Sequence, residues 1–98
     1  DVSPYCDCHA ENDLPIIPDV GMFASFDPVA LDMACADMAN QAPPIPGSML
    51  GERLKEHSGC GEEHDHFNST HPETNWIVCL DHAEKLGIGT KQYELIEV

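Results

Sequence analysis

Two stretches gather side chains that could hold a metal ion. The first is Cys6-Asp7-Cys8-His9. In an extended segment residues i and i+2 point to the same side, so the two sulfurs could meet one soft metal such as zinc or iron, with His9 adding a nitrogen. A single Cys-x-Cys falls short of the four ligands that a closed zinc or iron–sulfur site takes. The plainer reading is a pair of reduced thiols in a loop, facing a neighbouring domain. Carboxylates nearby raise a thiol's pKa, so the segment is a ligand candidate before it is a nucleophile candidate.

The second stretch holds Cys60, His64, His66 and His71 among Glu62, Glu63 and Asp65. Such a loop could form a mixed Cys/His site, or complete one begun by Cys6 and Cys8. Against it stands a solvated histidine-rich loop that takes up metal only opportunistically. Asp27 reads first as a helix cap, whereas Asp32 sits one turn into an almost wholly apolar helix and would point toward a site if buried. Cys35, Cys79 and Trp76 read as core residues. No phosphate-binding glycine loop, Gly-x-Ser-x-Gly or His-Glu-x-x-His motif occurs, which removes the common nucleotide and hydrolase readings.

The 98 residues make one domain, with 18 Asp+Glu against 4 Lys+Arg and a formal net charge of −14. No Lys or Arg precedes Arg53. That surface excludes a basic nucleic-acid face and binding to an anionic membrane, and suits cations or a basic partner. With 42% hydrophobic residues the chain is globular material, not an acidic disordered tail. Five irregularly spaced cysteines and the lack of any leader or long apolar span point to a reducing, cytoplasmic setting. The start at Asp1, with cysteines and prolines at once, suggests a piece of something longer.

The elements that would position these groups follow from local pattern. Pro4 bars a helix at the start, so residues 1–13 form a short strand or loop. Pro15 and Pro18 exclude a helix further on, and residues 20–25, apolar on both faces, read as a buried strand. Asp27-Pro28 is a helix start, and the helix runs to about Gln41. APPIPG (42–47) breaks it, and Ser48 caps a second helix from Met49 to about His57. Residues 58–71 form a long polar loop. Trp76, Cys79, Leu80, Ala83 and Leu86 recur at helical spacing in a third helix, capped by Thr74 or Asn75 and stopped by Gly87. YELIEV (93–98) reads as a strand. The order favours an α/β or α+β fold, a two- to three-stranded sheet packed with about three helices. So thin a sheet leaves exposed edges, which again fits a fragment of a larger α/β protein.

The string CDCHAENDLPIIPDVGMFASFDPVALDMACADMAN (6–40), centred on IIPDVGMFASFDPVALD (16–32), resembles the closing part of the domain of unknown function 362 (DUF362) family. The tail HPETNWIVCLDHAEKLGIGTKQYELIEV (71–98) is similar to that family's C-terminal end in its HP-x-x-N-W, AEKLGIG and YEL elements. The resemblance implies a C-terminal piece of an iron–sulfur, redox-linked protein. The clusters would be held by two cysteine quartets of a ferredoxin-like module upstream, which are absent here. Cys6, Cys8, Asp27 and Asp32 match as motif positions without assigned roles.

Three readings result. The chain is a non-catalytic module that faces an upstream ferredoxin-like domain, a redox partner or another copy of itself. Alternatively it is a zinc or iron domain with Cys6, Cys8, His9, Cys60, His64, His66 and His71 as the ligand pool. The third is an enzyme half-site completed elsewhere, with no activity expected of this chain alone.

Overall fold

The computed structural model describes residues 1–56 and 65–98. Four helices appear among them: α1 (Pro28–Gln41), α2 (Met49–Glu56), α3 (His66–Thr70) and α4 (Ile77–Lys85). The expected α/β or α+β fold is not found, since the described residues contain no sheet. The one β-type pairing among the described residues is an isolated antiparallel bridge between Val2 and Ile17. Proline explains why it does not grow: Pro15 and Pro18 flank the pair and have no N–H to continue a ladder.

The expected strand over 20–25 is an unpaired segment, exposed except for the half-buried Phe23. Gly21 sits at φ 152, a bend that interrupts a regular strand. Val20 and Met22 face solvent, and Met22 is 99% exposed. Residues 93–98 are likewise exposed and form no strand. An apolar run forms a strand only where a neighbouring strand accepts its hydrogen bonds, and neither run finds one here.

The helices obey the local signals better. Asp27 caps α1 by accepting from the Val29 and Ala30 N–H groups at 3.0 Å each, with Pro28 in the first turn. Ser48 caps α2, its Oγ accepting from the Gly51 N–H at 3.1 Å and donating to the Ile45 carbonyl at 2.6 Å. Position 51 requires glycine, because a Cβ there would lie 2.5 Å from the Ile45 oxygen. The fourth helix ends at Gly87, at φ 77, as expected. Its start differs from expectation: Trp76 occupies the cap position without a side-chain cap bond, and Thr74 Oγ1 donates to the His71 carbonyl instead.

α3 lies where the sequence suggested only loop. Asp65 creates it by accepting from the Phe67 and Asn68 N–H groups at 3.0 and 3.2 Å. α2 packs on α3, and α1 packs on α3 and α4. The apolar centre joins Ile16, Ile17, Ala39 and Leu50, with Val2, Ala42, Leu54 and Phe67 packed around it. Ile17 and Leu50 are 1% and 0% exposed. No helix of the described residues is long and apolar enough to cross a membrane.

Candidate functional site

Two consecutive turns build the cysteine loop. The His9 N–H donates to the Cys6 carbonyl at 2.8 Å, and the Asn12 N–H to the His9 carbonyl at 3.2 Å. Asn12 Oδ1 accepts from the Tyr5 N–H at 3.2 Å, which ties the two ends of the loop together. Cys6 and Cys8 thus share a side through a turn, not through the extended segment expected. Their sulfurs stand 2.9 Å apart, and both residues are exposed, free thiols.

The electrostatics also depart from expectation. The Cys8 S–H and then the Cys8 backbone N–H donate to the Cys6 sulfur and hold its thiol below the ordinary range. These hydrogen bonds outweigh the opposing cost of desolvation.

His9 turns toward Tyr5, stacking on its ring at 4.4 Å and 13°, and its Nδ1 accepts from the Glu11 N–H at 3.1 Å. On the other side, His71 packs on Tyr5 with centroids 5.0 Å apart and donates from Nε2 to the Pro4 carbonyl. The two candidate segments therefore meet, through an aromatic contact on Tyr5. Neither Tyr5 nor Asn12 stood out in the sequence; the turn-forming Asn12-Asp13 pair is the signal that could have marked the loop's closure.

His66 belongs elsewhere. It is buried, its backbone N–H donates to Asn40 Oδ1 and its Nε2 to the Ala42 carbonyl, both at 2.8 Å, fastening α3 to the end of α1. Cys60 and His64 lie outside the described residues. Among the described residues, no three His, Cys, Asp or Glu side chains are gathered as a metal would require.

Asp27 is a structural staple. Its second oxygen, Oδ2, accepts from the Thr90 N–H at 3.0 Å. Donation from Ala30, Thr90 and Val29 holds its carboxyl below the usual range. Asp32 is exposed and borders a cleft of about 390 Å³ between α1, α3 and α4, lined also by Cys35, Phe67, Trp76 and Cys79. Burial and the charge of Asp32 push the Cys35 thiol up. Cys79, expected in the core, is exposed where it lines the open cleft. Trp76 is half-buried and donates from Nε1 to Asp65 Oδ2 at 2.8 Å.

Residues 1–37 match the family model described as "Domain of unknown function (DUF362)". No curated protein and no solved structure matches the chain. The matched span takes in the cysteine loop, the Val2–Ile17 bridge, the exposed segment and the first turns of α1. Over those residues, and as far as they reach, the chain is similar to a family whose function is uncharacterised.

Proposed function

We propose that the chain is a non-catalytic helical module of a larger iron–sulfur protein, docked through residues 20–26 against an upstream ferredoxin-like domain. The observation that carries this reading is the exposure of large apolar side chains in that segment, where Met22 and Phe26 are 99% and 110% exposed. Covering a side chain of this size is worth about 1.5–3 kcal/mol, so a neighbour with a matching apolar face gains substantially. The surface as a whole supports the same view. The chain exposes 7027 Å², whereas a compact monomer of this mass averages about 5,500 Å². The match over residues 1–37 includes the exposed segment, and the iron–sulfur assignment rests on the family resemblance alone.

Elemental analysis and absorption spectroscopy test the reading, on the untagged chain purified anaerobically and on a longer polypeptide carrying both cysteine quartets. The chain alone should hold metal well below one atom per molecule and be colourless, while the longer polypeptide is brown. About one zinc or iron per chain, removed by a chelator together with thermal stability, would instead make the chain a metal centre built on Cys6, Cys8 and the Cys60–His71 stretch.

A further inference from the structure

We propose that Cys6 and Cys8 form a dithiol–disulfide couple, a two-electron redox centre within this chain that exchanges with disulfides of other molecules. The inference goes beyond the docking reading and does not depend on it. The two sulfurs are 2.9 Å apart, against about 2.05 Å in a disulfide, so bond formation needs only a small closing movement. Two turns and the Asn12–Tyr5 hydrogen bond hold the loop that brings them together, and Tyr5 stacks on His9 beside it. Both thiols are exposed, which leaves room for a partner disulfide to approach in line. Cys35, by contrast, is partly covered in its cleft, which Cys79 also lines.

The exchange balances with a disulfide R–S–S–R as oxidant. The Cys6 thiolate attacks one of its sulfurs, forming Cys6–S–S–R and expelling RS⁻, which takes up the proton that Cys6 released. Cys8 then loses its proton and attacks Cys6 Sγ, breaking the mixed disulfide and expelling the second RS⁻, which that proton neutralises. The chain gives up two electrons and two protons, and R–S–S–R leaves as two RSH.

The test equilibrates the reduced full-length chain in glutathione buffers of graded ratio, followed by acid quenching, alkylation and peptide mass mapping. In the oxidising buffers the peptide bearing Cys6 and Cys8 should be lighter by two hydrogens and take no alkylating group, reversibly with dithiothreitol. Cys8→Ala should stop at a stable glutathione adduct on Cys6, while Cys79 remains open to alkylation. Three outcomes would overturn the proposal: glutathione carried separately on Cys6 and Cys8, cross-linking of either to Cys35, Cys60 or Cys79, or thiols that stay as alkylatable as Cys79 at every ratio. Protection from alkylation that only a chelator relieves would also overturn it, in favour of a bound metal.

Discussion

The Asp27 carboxylate joins two parts of the chain that are 63 residues apart: Oδ1 caps α1, and Oδ2 accepts from the Thr90 N–H at 3.0 Å. The segment after α4 is thereby fastened to the start of α1. Gly89 allows it, because a side chain there would run into the Asp27 carboxylate. Two further bonds continue the attachment, from the Lys91 N–H to Glu84 Oε2 at 2.7 Å and from the Tyr93 hydroxyl to Asp37 Oδ2 at 2.6 Å.

Asp27 should make part of the stability depend on pH. Its carboxyl is held below the usual range by the Ala30, Thr90 and Val29 N–H groups. The stabilisation is therefore complete above the unfolded value of about 3.9 and is lost as pH falls through the lower folded value. Asp27→Asn, which turns an amide NH₂ toward one set of donors, should lower the melting temperature at neutral pH. Scanning calorimetry of both proteins should show the difference shrinking as pH drops from about 5 to about 3. A difference that is constant over that range would remove the carboxylate's role.

Trp76 links α4 to the cap of α3 through its bond to Asp65 and its tilted contact with Phe67 at 5.9 Å. Trp76→Phe keeps most of the ring and deletes the donor to a carboxylate, a loss of about 1.5–3 kcal/mol for a bond to a charged group. Urea unfolding measures it. A change below about 0.5 kcal/mol, typical of neutral surface sites, would show that the bond adds nothing.

Leu50 is fully buried against Ile16, Ile17 and Ala39. Leu50→Ala should cost about 2–5 kcal/mol through lost burial and the cavity left behind. Small domains have as little as about 5 kcal/mol in total, so the variant should be largely unfolded at physiological temperature by circular dichroism. Retention of the full helical signal up to the parent melting temperature would mean that the apolar centre lies elsewhere.

Cys6→Ser and Cys8→Ser change exposed side chains held by a loop whose own bonds are backbone and Asn12 contacts. Each should leave stability within about 0.5 kcal/mol of the parent. Unfolding or loosening in chemical denaturation would mean that the thiols bind something the fold requires.

What was legible in the sequence was local. Asp27-Pro28, Ser48 and Gly87 each act within one turn of their own position, so the ends they mark follow from short-range hydrogen bonding alone. The short α3 is marked just as locally by Asp65, whose capping bonds lie within a histidine-rich stretch that has the composition of a ligand loop. The sheet was not legible, because strand formation depends on a partner that no apolar run can specify by itself. Residues 20–25 have the composition of a buried strand, and the described chain offers them no ladder and covers only Phe23 in part. Cys6 and Cys8 were marked as a pair by spacing, but the turn that joins them and the Tyr5–His71 contact are tertiary facts. The seven-residue ligand pool separates accordingly: His9 and His71 flank Tyr5, His66 fastens α3 to α1, and Cys60 and His64 lie outside the described residues.

Hydrogen exchange of residues 20–26 tests the docking reading most directly, compared between the isolated chain and the longer polypeptide that carries the upstream iron–sulfur portion. Docking predicts fast exchange at Val20, Met22 and Phe26 in the isolated chain and strong protection in the longer one, with α1 protected in both. Equal, fast exchange in the two proteins would contradict it and leave the exposed apolar segment without the partner proposed for it.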